Sequence, residues 1–115
     1  MEYDRDAARH PIASEFDGYE WDERKSEICL QARAFDFSYA ARIFEADIEP
    51  LDWEDTRDIY GEPRFVSVGE VASLIIAVVW TPRGNLRRII SARPASRRER
   101  KLFIEYRETQ LERDP

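Results

Sequence analysis

Apolar residues in this chain recur with two periods, and each period predicts a different element. Phe37, Ala40, Ala41 and Phe44 stand at i, i+3, i+4 and i+7, which places them on one face of a helix and makes that face core. From Arg64 to Glu70 the period drops to two, with Arg64, Val66 and Val68 on one side and Phe65, Ser67 and Gly69 on the other. That alternation predicts a half-buried strand. Leu74 to Trp80 is rich in β-formers and apolar on both faces, so it is expected to be the central strand, covered on both sides. Thr81-Pro82-Arg83-Gly84-Asn85 then reads as a turn that returns the chain antiparallel through Leu86 to Ala92.

The remaining elements follow from their boundary signals. Phe16 to Trp21 is a short aromatic run ending at Asp22, a good N-cap for a helix from Glu23 to about Ala34. The polar stretch Glu45 to Glu62, with Pro50, Asp52, Asp55 and Gly61, predicts a long connection. Pro94 should stop the last strand, and Ser96-Arg97-Arg98-Glu99 is a capping box for a final helix to about Glu112, with Leu102, Phe103 and Tyr106 as its apolar stripe. The first fifteen residues carry Pro11 and no sustained apolar period, and are expected to form an arm ahead of a single domain over residues 16–115. The order β-α-α-β-β-β-α does not alternate helix with strand, so an α+β fold with a mainly antiparallel sheet is expected.

Composition narrows the chemistry. A chain of 115 residues has room for one modest core. Its single cysteine, Cys29, cannot form an internal disulfide, no secretory leader is recognisable, and the longest apolar run falls far short of the roughly 20 residues of a membrane helix. A cytoplasmic protein without membrane contact is expected. With His10 as the only histidine, a Cys/His metal centre is excluded, and the acids show neither EF-hand spacing nor a glycine-rich phosphate loop. No metal and no cofactor is expected.

Charge changes the picture most. Eight cations (Arg83, Arg87, Arg88, Arg93, Arg97, Arg98, Arg100, Lys101) lie between positions 83 and 101 beside one acid, Glu99, in a chain of formal net charge −6. Residues 2–62 carry eighteen acids against seven bases. Sorting of this kind implies a polyanion-facing patch on a protein that elsewhere repels polyanions. Arg97, Arg98, Arg100 and Lys101 fall at the start of the final helix, where the macrodipole favours acids, so a bound phosphate would turn an unfavourable placement into a favourable one. Arginine suits this role because its planar guanidinium bonds phosphate through two N–H groups at once. Arg88 shares a strand face with Leu86, Ile90 and Ala92, and either a structural ion pair with an acid of the first half or a ligand would satisfy it. Trp80, beside the basic turn, is either core or a stacking platform for a base, whereas Phe103 within the helix stripe is expected in the core.

Tyr19-Glu20-Trp21-Asp22-Glu23-Arg24-Lys25, Phe37 with Ala40 and Phe44, Val79-Trp80-Thr81-Pro82-Arg83, Arg88-Ile89-Ile90-Ser91-Ala92-Arg93 and Arg98-Glu99-Arg100 together resemble the BrnT toxins, of the RelE-like toxin group, over about positions 19 to 106. The resemblance implies a RelE-like fold and a ribonuclease toxin of a type II toxin–antitoxin operon that inhibits translation by cutting RNA. It also implies a BrnA-like antitoxin partner, contact with operator DNA only through that antitoxin, and toxin dimers within a two-to-two complex. Three departures stand out: Cys29, Ala32, Arg33 and Ala34 replace an Asn-x-x-Lys-His-Gly element, Pro94 replaces a lysine, and Phe103 replaces a tyrosine.

Metal-free RNA cleavage needs cations around the crowded phosphate and groups that move protons. Arg64, Arg83, Arg88 and Arg93 are the expected charge-stabilising residues, with Glu99 as a further catalytic candidate. Trp80, Arg87, Arg97, Arg98, Arg100 and Lys101 are expected to bind the RNA. Glu62, Glu70, Tyr60 and Tyr106 are the other groups able to carry a proton. The competing expectation is a module that binds RNA, or regulates its operon through the antitoxin, without cutting.

Overall fold

The computed structural model describes residues 16–57 and 61–113, so the N-terminal arm and Tyr60 lie outside the described residues. The elements run β1 (Gly18–Trp21), α1 (Glu23–Arg33), α2 (Phe37–Ala40), a 3-10 turn (Ala41–Glu45), β2 (Leu51–Asp55), β3 (Arg64–Val71), β4 (Leu74–Arg83), β5 (Leu86–Pro94) and α3 (Arg97–Arg113). The five strands form one sheet in the order β1-β5-β4-β3-β2, in which only the β1–β5 pair is parallel. The α+β class and the mainly antiparallel sheet match the expectation, and β4 is the central strand.

Local chemistry sets the boundaries. Asp22 caps α1 by accepting hydrogen bonds from the backbone N–H groups of Arg24 and Lys25. Ala34 ends that helix at φ 66°, in the left-handed conformation that glycine adopts without strain. Ser96 and Glu99 form the expected reciprocal capping box, with the Ser96 N–H 2.8 Å from Glu99 Oε1 and the Glu99 N–H 3.2 Å from Ser96 Oγ. The turn between β4 and β5 is tighter than expected: β4 runs on to Arg83, leaving Gly84 and Asn85 as a two-residue loop. Gly84, at φ 61°, supplies the positive angle such a loop needs.

Two expectations are corrected. Leu51–Asp55 lies inside the stretch expected to be a connection, yet it pairs antiparallel with β3 at the sheet edge. Its alternation rests on Leu51 and Trp53 alone, and the acids between them hid it. The Arg64–Glu70 segment, expected to be half-buried, is buried from Phe65 through Gly69 because β3 is covered on both faces. The 3-10 turn approaches so closely that a Cβ on Gly69 would lie 2.7 Å from Ile43 Cβ.

Each sheet face therefore has its own core. On one side α1, α2 and the 3-10 turn bury Phe37, Ala40, Ala41 and Phe44, the predicted helix face, against Phe65, Ile76, Val78, Trp80, Ile89 and Ala92. On the other, α3 alone lays Phe103, 1 % exposed, over Leu51, Val66, Val68, Ile75 and Ala77. One helix cannot cover five strands, and the uncovered part of this second face carries the arginines.

Candidate functional site

The sheet register sorts the basic segment. Val79 packs with the α3-side core and Trp80 with the opposite one, so alternate residues of β4 point to opposite faces. β5 alternates as well, except that a bulge opposite Val79 and Trp80 adds one residue, which puts Arg88 and Arg93 on one face and Ala92, expected beside Arg88, on the other with Ile89. Arg88 is opposite Thr81 on β4 and Glu20 on β1; Arg64 pairs with Asp55 on β2 and, preceding the Phe65–Trp80 pair, lies beside Thr81. The result is a row across all five strands, Glu20, Arg88, Thr81, Arg64 and Asp55, on the face α3 leaves open. Thr81 is its buried floor, its hydroxyl donating to the Pro63 carbonyl at 2.6 Å. With strands about 4.8 Å apart, the Arg64 and Arg88 backbones flank Thr81 at a separation of roughly 10 Å, within reach of one group for two long side chains. Arg83, two residues along β4 from Thr81, joins them.

Arg93 lies elsewhere on the same face. It pairs with Ala77 near the far end of β5, about five strand residues from Arg88, or roughly 16 Å at 3.3 Å per residue. There it makes a two-pronged ion pair with Glu99 at the start of α3, at 2.7 and 3.0 Å. Burial pushes the Glu99 carboxyl up, but the Arg93 hydrogen bonds and the Ser96 backbone N–H outweigh it and hold the group below the usual carboxylate range. Those same hydrogen bonds raise the proton affinity of the Arg93 guanidinium. Glu99 is thus a committed anion, occupied by its own helix and by Arg93.

Arg87 and Trp80, both expected among the RNA-binding residues, do not face this site, and for Trp80 this is the core alternative. Both point into the opposite core, at 2 % and 1 % exposure. Trp80 donates its indole N–H to Ser67 Oγ at 2.8 Å and stacks on Phe65 at 5.0 Å between ring centres. The Arg87 guanidinium lies against three rings, Phe44 at 4.1 Å, Phe16 at 4.6 Å and Trp80 at 4.7 Å. Burial lowers its proton affinity, an effect that Asp52 and Tyr19 partly counter. The aromatic faces substitute for water around this cation. Strand alternation could have foreseen this, because Arg87 and Arg88, as neighbours, must point to opposite sides.

Arg97, Arg98, Arg100 and Lys101 are exposed at the start of α3, as expected, adjoining the Arg93 end of the face. Among the described residues none of these four forms an ion pair, whereas every arginine of the open face does. Arg88 Nη1 lies 2.6 Å from Glu20 Oε2, the structural pair anticipated as one of its two outcomes. Arg64 and Arg83 share Glu62, at 3.3 and 3.6 Å. Glu20 and Glu62 are therefore part of the site. Glu62 was visible in the sequence as a proton carrier, but the role of Glu20 depends on a parallel pairing across 68 residues that no local pattern announces.

Four guanidiniums held by three carboxylates on one sheet face, with unpaired cations at an adjoining helix start, can receive several phosphates of one strand. No helix among the described residues is long and apolar enough to cross a membrane. The curated proteins include no match to this chain. The family model described as the ribonuclease toxin BrnT of type II toxin–antitoxin systems matches residues 21–99, a span shorter at both ends than the resemblance read from the sequence, and it runs from the last residue of β1 through the first turn of α3, taking in every arginine of the open face but not Glu20. The match covers well over half of the chain, which accordingly belongs to the BrnT family of type II toxin–antitoxin ribonuclease toxins.

Proposed function

We propose that the open sheet face is the RNA-cutting surface of an endoribonuclease that inhibits translation without a metal ion. The observation that carries this reading is the register, which sets Arg88, Thr81 and Arg64 in one row with Arg83 beside it, three arginines on one face around a buried threonine. In cleavage by the ribose 2′-OH, charge builds on the phosphate's non-bridging oxygens, and preorganised cations favour that transition state over the ground state. Arg93 and the α3 start, farther along the face, hold the neighbouring phosphates. In this reading the RelE-like arrangement, the cytoplasm as site of action and a BrnA-like antitoxin forming a two-to-two complex on operator DNA go together, the antitoxin covering the arginine face.

The test is single-turnover cleavage of single-stranded RNA with a chelator present. Products ending in 2′,3′-cyclic or 3′-phosphate, with cutting reduced more than binding in Arg83→Ala, are expected. RNA that binds but stays intact over long incubation would replace this reading with the non-catalytic binding module.

A further inference from the structure

Resting on the assignment of the open face to RNA cleavage, we propose that Glu62 is the general base, the catalytic residue that takes the proton from the attacking 2′-OH. Among the described residues, the other carboxylates paired on this face are engaged by short, well-directed bonds. Glu20 is 2.6 Å from Arg88, and Glu99 is 2.7 Å from Arg93 while also capping its helix. Glu70 is 2.7 Å from Arg107 on α3, and Asp55 is 2.7 Å from Arg57. Glu62 differs in two respects. Its contacts, 3.3 Å to Arg64 and 3.6 Å to Arg83, are the longest ion pairs on the face, and its two oxygens are divided between two guanidiniums that also belong to the phosphate site.

That position has a chemical consequence. A phosphodiester seated on Arg64 and Arg83 comes to lie beside the Glu62 carboxylate and competes with it for the same N–H donors. Two anions then adjoin, and uptake of a proton by the carboxylate relieves the repulsion. The 2′-oxygen forms a bond to phosphorus, its proton passes to Glu62, the bond from phosphorus to the 5′-oxygen breaks, and that leaving oxygen takes a proton from water. The products are a 2′,3′-cyclic phosphate and a 5′-hydroxyl. Glu62 then returns its proton to solvent. The short pairs keep a different task, since a carboxylate behind Arg88 or Arg93 orients the guanidinium without standing where substrate must go.

The experiment uses the full chain and a single-stranded oligoribonucleotide, with single-turnover rates and dissociation constants measured separately. Glu62→Gln keeps the shape and removes the base. The expected result is a cleavage rate lower by about 10²- to 10⁴-fold, with RNA binding unchanged or tighter because an anion has left the phosphate site. Glu62→Asp, which keeps the carboxylate on a shorter arm, should retain part of the rate. If Glu62→Gln cuts as fast as the wild type or faster, Glu62 merely masks the arginines and the proposal is overturned. Loss of cutting and binding together, in both variants, would overturn it in favour of a structural role. Wild-type protein that does not cut at all refutes the assignment of the face itself, which separates that failure from failure of Glu62.

Discussion

Arg87 and Arg88 are neighbours in the chain and have opposite fates. The first is sealed among Phe16, Phe44 and Trp80 on the side covered by α1, α2 and the 3-10 turn, and the second stands half-exposed against Glu20 on the side that α3 only partly covers. The two sheet faces thus treat the same side chain differently. Where the cover is complete, a cation is retained by aromatic faces and contributes to packing. Where cover is incomplete, cations are retained by carboxylates, which water or a phosphate can replace. A count of positive residues therefore overstates the surface available to RNA, and the side of the sheet each one occupies decides its use.

Substitutions at these two positions should separate the faces. The largest expected effect is on stability: Arg87→Ala empties the space between three rings and should cost about 3 to 5 kcal/mol in urea unfolding, any loss of cutting following the unfolded fraction. Arg88→Ala should do the reverse. Its unfolding midpoint should move by no more than the ~1 kcal/mol of a partly exposed ion pair, while the single-turnover cleavage rate falls about 10²- to 10³-fold. Equal stability losses at the two positions would remove the distinction between the faces.

A smaller effect is expected at the α3 start. The Glu99 carboxyl lies below its usual range in the folded protein, so it binds its proton less readily folded than unfolded. Its stabilising contribution is present above the unfolded-state pKa of about 4.3 and is lost as pH falls through the lower folded value. Glu99→Gln should remove that acid-side loss and cost about 1 kcal/mol near neutrality through the weakened cap, as read from unfolding curves taken across acid pH. The smallest change is a gain. Ala34→Gly, at φ 66° on an exposed helix end, should relieve about 1 kcal/mol of left-handed strain and raise the melting temperature without altering cleavage.

Much of this molecule is legible from local pattern. The apolar face Phe37-Ala40-Ala41-Phe44, the central strand from Leu74, the stop at Pro94 and the Ser96–Glu99 capping box all depend on residues within a few positions of one another, and periodicity or capping chemistry determines each one. The Leu51–Asp55 strand escaped because an edge strand with two apolar residues among acids has almost no period to read, and pairing with β3 supplies what its sequence lacks.

The sequence by itself determined the α+β class, the separation of an acidic half from a basic segment, and the family. Which arginines share the open face was decided by tertiary structure alone, for a physical reason. Side-chain direction in a strand has period two, but the identity of each face depends on which helices cover it, and that is a long-range outcome of packing. Trp80 and Arg87 became core because α1, α2 and the 3-10 turn settled on their side. Arg64, Arg83 and Arg88 became a surface because only α3 settled on theirs, and Glu20 met Arg88 because β1 joined β5 in parallel.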